Sequence, residues 1–256
     1  MAAIPPASEL LDPRTGGRVV TRTRVVRLGD VDSRGVLRLD ATARYLQDVA
    51  TDDVVDSPLG NTFAWVVRRT MIEVREPAVV DELVSVTTFC SGTGRCWAER
   101  RTSITSVRGA AIEAVSLWVR IDPESGRPTA LNDDFDAVYG AAAGGRRVSP
   151  RLQLPARPLD QPGGLVARSW ALRRVDIDPL NHVNNAAQWA ALEEVMAERR
   201  ARRRGVAEIE FLAPLDAPAE PGGAVDLVVA PAADAIEAWL VADTITHTAL
   251  RWQPIS

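Results

Sequence analysis

From Asp176 to Asn185 the chain reads Asp-Ile-Asp-Pro-Leu-Asn-His-Val-Asn-Asn, so two carboxylates, one histidine and three carboxamides fall within ten residues. Those groups suit hydrolysis at an acyl carbon, which needs a base to take a proton from water and donors for the charge that develops on the carbonyl oxygen. Pro179 pushes the residue before it into extended backbone, so a helix cannot start there. Asn184 or Asn185 is a good N-cap for a helix running through Arg200. Asp178 and His182 then sit in a loop feeding a helix N-terminus, where free backbone N–H groups and the positive dipole end favour an oxyanion. The same residue types also build ordinary turns and caps, and local composition leaves both readings open. Glu194 falls roughly two to three turns along that helix. Glu193 and Glu194 read as a solvated face, with Glu194 kept as a supporting residue.

The elements that position this loop occur twice. Arg27 to Val36 before the middle of the chain and Arg173 to His182 after it share a D-x-D signal, and an offset of 178 − 32 = 146 aligns them. The same offset takes Asp30 to Asp176 and Asp48 to Glu194. A helical pattern follows each signal: Leu39, Ala43, Leu46, Val49 and Ala50 in the first, Ala187, Ala191, Leu192 and Val195 in the second. Strand patterns come next, with Gly-containing turns at Ser91-Gly92-Thr93-Gly94 and Arg108-Gly109. A long helix followed by an antiparallel sheet, repeated, predicts an α+β architecture in which each sheet wraps a helix. The Gly- and Pro-rich stretch from Tyr139 to Gly164 has the composition of a linker between the two copies. The expected organisation is a flexible tail over 1–19, one module over 20–138, a linker over 139–165 and a second module over 166–256.

The totals narrow the function. The chain has 256 residues, a formal net charge of −4 and a sequence pI near 5.4, so it carries no electrostatic footprint for nucleic acid. All 30 basic residues are Arg. With two cysteines, Cys90 and Cys96, and two histidines far apart, His182 and His247, the ligand count predicts no metal site. Two cysteines in a chain of this size point to a reducing compartment. No apolar run reaches membrane-spanning length, and the expectation is a cytoplasmic protein without membrane contact.

The order of motifs resembles the acyl-acyl carrier protein thioesterases, plant and bacterial chain-terminating enzymes built as a double hotdog. The family's R-R-x-D-x-D-x-N-x-H-V-N-N is matched at Arg173, Arg174, Asp176, Asp178, His182, Val183, Asn184 and Asn185. Leu46-Gln47-Asp48-Val49 parallels the family's first helix, and the run from Trp65 to Val74 parallels its W-V-x-x-R-x-x-I-E-I strand. Pro77, Glu99-Arg100-Arg101 and Ser116-Leu117-Trp118-Val119 also match, so the resemblance runs from about Val20 to Leu215. It implies a tandem hotdog that hydrolyses fatty acyl-acyl carrier protein to free fatty acid and carrier protein, without a cofactor. Asp178 and His182 carry over as catalytic residues. Leu180 stands where the family has its catalytic asparagine, which leaves Asn181 as the substitute, and the family's later acidic or cysteine position falls near Pro214 and Leu215. Trp65, Trp118, Asn184 and Asn185 are the expected substrate contacts, within an N-terminal hotdog that lines the acyl pocket. Asp32 faces no histidine, because Val36 occupies that place, so one working site per chain is expected. The cluster Arg199, Arg200, Arg202, Arg203 and Arg204 either complements the helix C-terminus or attracts an acidic carrier protein. A homodimer is compatible with this reading. An acyl-coenzyme A thioesterase and a non-catalytic acyl-binding hotdog are the alternatives.

Overall fold

Alternating strands of this length must bury one face, and two long apolar-striped helices are available to cover it. In the computed structural model, which describes residues 16–60, 63–158, 164–179, 181–216, 225–231 and 235–255, both helices pack on one another and on a single ten-stranded antiparallel sheet. The strands are β1 (Val19–Val25), β2 (Ala64–Glu76), β3 (Leu83–Thr93), β4 (Trp97–Thr105), β5 (Ala111–Ile121), β6 (Val166–Trp170), β7 (Gly205–Phe211), β8 (Val225–Val229), β9 (Ile236–Ala242) and β10 (Ile245–Pro254). The two long helices are α1 (Leu39–Asp56) and α2 (Asn185–Glu198). The sheet order β1-β3-β4-β5-β2-β7-β10-β9-β8-β6 places the same five-strand pattern twice, joined where β2 pairs with β7. This is the α+β double hotdog that the resemblance implied, with the duplication that the repeated motif predicted.

Helix α1 buries Leu39, Ala43, Leu46 and Val49, and α2 buries Trp189, Leu192, Val195 and Met196, all in one core with strand residues such as Ile72, Ile112, Ile209 and Leu240. The outer side of α1 carries Asp48 and Asp56, which pair with Arg24 and Arg22 on β1, so charge pattern and apolar stripe agree on its orientation. Helix α2 ends at Glu198, with Arg199 as its C-cap and Arg200 at φ 50.

Strand β3 runs to Thr93, past the position where glycine content predicted a turn. Gly92 is needed for a different reason. A bulge occurs between Cys90 and Gly92, and a Cβ on Gly92 would lie 2.5 Å from Val148 Cγ1. Val148 belongs to the chain that joins the two halves, and the described part of this connection is a strap docked on the sheet. Tyr139, Ala142, Ala143 and Leu154 are buried. Trp97 Nε1 donates to the Val148 carbonyl at 2.9 Å, Trp239 Nε1 donates to Pro155 O at 2.9 Å, and Glu210 accepts the Gln153 and Leu154 N–H groups at 2.6 and 3.0 Å. The predicted tail lies largely outside the described residues, as do residues 159–163 of the predicted linker.

Candidate active site

The loop ahead of α2 is fixed by its own backbone. A short 3-10 turn, Arg174–Asp176, is closed by Arg173, whose guanidinium and N–H both reach the Asp176 carboxylate. Beyond it, the Asp178 N–H donates to His182 O at 2.8 Å, the Asn181 N–H donates to Asp178 O at 2.9 Å, and the Asn184 N–H donates to Asp176 O at 2.7 Å. Asp178 Oδ1 accepts the His182 N–H at 3.2 Å. Asn181 takes φ 63, a left-handed conformation that Asn tolerates better than most residues, and its side chain is exposed. Leu180, the departure from the family motif, lies outside the described residues.

His182 meets a partner from elsewhere in the chain. The Val183 N–H donates to Leu215 O at 2.8 Å, and this contact lays the segment after β7 beside the loop. His182 and Asp216 are then bridged, and His182 Nε2 stands 3.3 Å from Asp216 Oδ1, both side chains open to solvent. Pro214 and Leu215 do contribute, but through their carbonyls: Pro214 O faces His247 Nδ1 at 2.6 Å. Asp216 went unnoticed in the sequence. Its one signal was a carboxylate standing next to the position where the family pattern led to a leucine.

Asn184 is the N-cap of α2. Its Oδ1 accepts the Ala186 N–H at 2.8 Å, and Gln47 Nε2 of α1 approaches the same oxygen at 3.4 Å. The Ala187 and Gln188 N–H groups are both turned to Asn184 O, and the Asn185 N–H, in the first turn where helix N–H groups have no intrahelical partner, has no backbone acceptor among the described residues. Asn185 lines a narrow crevice of about 20 Å³ between the helices and the first half's strands, together with Gln47, Trp189, Trp118 and Phe211. The structure therefore brings Asn185 and Trp118 together at the crevice, with Asn184 capping the helix at its edge. Trp65 stands apart, in an aromatic cluster with Phe63 at 6.2 Å and Phe135 at 5.7 Å. Glu194 is exposed and borders a separate cavity of about 220 Å³ with Trp170 and Asp176.

The first half carries the same loop with a different outcome. Gly35, at φ 77, takes the place of Asn181, and its N–H donates to Asp32 O at 2.9 Å. The Asp32 N–H donates to Val36 O at 2.8 Å, and Arg38 N–H to Asp30 O at 3.0 Å, each bond matching one in the second loop at the offset of 146. Here the space is filled. Arg203 donates to Asp32 Oδ2 at 2.5 Å and to Glu193 Oε2 at 2.6 Å, and Glu193 Oε1 accepts the Leu39 N–H at the start of α1 at 2.6 Å. Glu193 is thus a buried capping group and no part of a solvated face. Burial pushes the Asp32 carboxyl up, but the Val36 and Arg34 N–H groups and Arg203 outweigh it and hold it below the usual carboxylate range. At the offset of 146, Glu193 is the counterpart of Gln47, which faces the crevice.

Comparison with known proteins agrees with this duplicated arrangement. Residues 17–139 match the family model described as the acyl-ACP thioesterase N-terminal domain. The uncharacterized protein Rv2001 of Mycobacterium tuberculosis is 28% identical over 190 residues, covering 74% of each chain. Among solved structures, the 12:0-ACP thioesterase from Umbellularia californica has a TM-score of 0.73 at 17% identity, covering 93% of this chain and 98% of its own. An acyl-ACP thioesterase from Bacteroides thetaiotaomicron has a TM-score of 0.72 at 19% identity, covering 92% and 97%. Residues 17–139 are thus similar to the acyl-ACP thioesterase N-terminal domain, and along its length the chain has the double-hotdog fold of these two solved structures.

Proposed function

We propose that this protein hydrolyses fatty acyl-acyl carrier protein thioesters to free fatty acid and carrier protein, ending chain growth in a cytoplasmic fatty acid synthesis. The observation that carries this reading is the convergence of Asp178 and the His182–Asp216 pair on the loop that opens α2, whose first residue, Asn185, lines the crevice. With Nε2–H held by Asp216, the basic nitrogen of a neutral His182 is Nδ1. That nitrogen takes a proton from water as the water oxygen bonds to the thioester carbonyl carbon. The negative charge on the carbonyl oxygen is met by the Asn185 N–H at the positive end of α2. When the intermediate collapses the C–S bond breaks, the sulfur leaves with the electron pair, and the proton on His182 passes to it.

Asp178 has two parts in this scheme: it fixes the backbone of His182, and its carboxylate faces the water. Asp178→Asn separates them, because an amide oxygen still accepts the His182 N–H while the charge is gone. Asn181 is the third group of the proposed site. Asn181→Gly removes its amide and keeps the left-handed backbone, as Gly35 does in the first loop. The exposed Arg200 and Arg202 give a positive edge for an acidic carrier, whereas Arg203 is committed to Asp32 and Glu193 and Arg204 to Glu76.

The test is a panel of acyl chains on carrier protein and on coenzyme A, read by release of free thiol. Turnover on carrier-bound chains, greatest among the two handles and reduced by Asp178→Asn, is the expected result. Equal or better turnover on coenzyme A thioesters would reassign the handle, and no turnover on any member would remove the hydrolase reading.

A further inference from the structure

Where an acyl site is expected to be greasy, the side of the crevice built by the first half's strands sets polar groups between Val67 and Trp118. Thr70 on β2, Ser116 on β5, and Arg100 and Thr102 on β4 line it, and they form a belt across three neighbouring strands. The register sets Thr70 opposite Ser116 and Ser116 opposite Arg100. Apolar layers flank the belt, with Ile72, Ala114 and Ile104 buried beside it.

Hydrogen bonds within the belt leave a surplus of donors. Thr88 Oγ1 donates to Arg101 O at 2.9 Å, so the Thr102 hydroxyl is the donor in their 3.0 Å contact. Thr70 Oγ1 and Ser116 Oγ are 2.9 Å apart, which uses one of their two protons; the other has no acceptor among the described residues. Trp118 Nε1–H, also on the crevice wall, is buried without an acceptor. Arg100 spends one nitrogen on Asp53 at 2.7 Å, and that same carboxylate also takes Arg18 at 2.5 Å, so two guanidinium groups share one negative charge. Buried donors of this kind are ordinarily paired.

We propose that the acyl group taken by this site carries an oxygen substituent, a hydroxyl, oxo or carboxylate group, that accepts hydrogen bonds from Trp118, the Thr70–Ser116 pair and Arg100. The inference rests on reading the crevice as the acyl site of a thioester hydrolase. A plain hydrocarbon chain laid on the belt would leave Trp118 Nε1–H and the spare hydroxyl proton of the Thr70–Ser116 pair without acceptors, and would offer nothing to Arg100 beyond its bonds to Asp53 and Thr88; a site built to bond an oxygen rejects the analogue that lacks it. The net positive charge at Arg100 makes a carboxylate the strongest acceptor among the three.

The experiment compares saturated, hydroxy-, oxo- and carboxy-substituted acyl chains of matched length on both carrier protein and coenzyme A. Thioether-linked, non-hydrolysable analogues of the same chains are measured in parallel for binding. The wild type is expected to favour an oxygenated chain by about tenfold or more in kcat/KM and in affinity. In the double variant Thr70→Val with Ser116→Ala that ratio should fall toward one, and Trp118→Phe, a milder change, should lower it as well. Equal or better handling of saturated chains by the wild type would overturn the proposal, as would a ratio unmoved in both variants. If no thioester turns over, the analogues decide: tighter binding of oxygenated chains supports the substrate class while ending the hydrolase reading, and equal binding ends both.

Discussion

At the scale of single residues, the proposed chemistry depends on an imidazole held by a carboxylate 34 positions further along the chain. His182→Ala should lower kcat/KM by roughly 100-fold or more. Asp216→Ala should cost less, on the order of tenfold, since the imidazole remains and only its orientation is freed. Both side chains are accessible, so thermal melting should leave Tm within the scatter expected of surface substitutions. Variants that lose activity only because they lose Tm would remove His182 from the reaction. The two thiols differ in a way a reactivity assay reads directly. Cys90 is buried and its thiol is pushed up to about 11 by burial, whereas Cys96 is partly accessible. Under native conditions at pH 8 one thiol should react with a disulfide reagent and Cys90 only after denaturation; two fast thiols would mean that β3 opens readily. The loop that gathers Asp178, His182 and Asn184 was legible because its residues are contiguous in sequence. Asp216 was not, because its approach to His182 depends on how far the chain travels after β7 before it turns back.

At the scale of elements, the ion pairs of Arg203 join the start of α1, the body of α2 and the first loop. Replacing Arg203 with Met would leave Glu193 buried without its cation and the half-buried Asp32 with the exposed Arg34 at 3.1 Å, and breaking a buried pair costs about 3–5 kcal/mol in comparable settings. Denaturant unfolding would measure it, and a loss below about 1 kcal/mol would show that the pair is dispensable. The pH dependence has a definite sign. The Asp32 carboxyl is held below its ordinary value in the folded protein, so its contribution is complete above the unfolded value of about 3.9 and is lost as pH falls through the lower folded value. Asp32→Asn should therefore flatten the acid limb of a Tm-against-pH curve, and an unchanged limb would refute the assignment. Removing the cap of α2 with Asn184→Ala should cost about 1 kcal/mol. The cap was readable in the sequence to within one residue. The inward turn of Arg203 was not, since five arginines in a row of six look alike until the packing of α2 selects one of them.

At the scale of the molecule, the repeated D-x-D signal and helix pattern announced two modules, and composition announced a linker between them. The two copies are there, but β2 pairs with β7 from Arg69 to Val74, the helices share one core, and the strap is bonded to both halves of the sheet. Backbone pairing between distant strands and a strap docked through its own N–H and carbonyl groups leave no mark on hydrophobic periodicity. A single unfolding transition should follow, with tryptophan fluorescence and far-ultraviolet circular dichroism coincident. Two separated transitions would show that the halves are independent. The pairing of Gln47 with Glu193 across the duplicated loops has a wider meaning. When two identical subunits meet, any substitution appears twice, and a change that strengthens one face of the interface must be tolerated at the other. Two copies within a single chain are released from that bond. One can surrender its vacancy to an arginine and become a strut, while the other keeps its opening and its loop, and neither has to compromise with its twin.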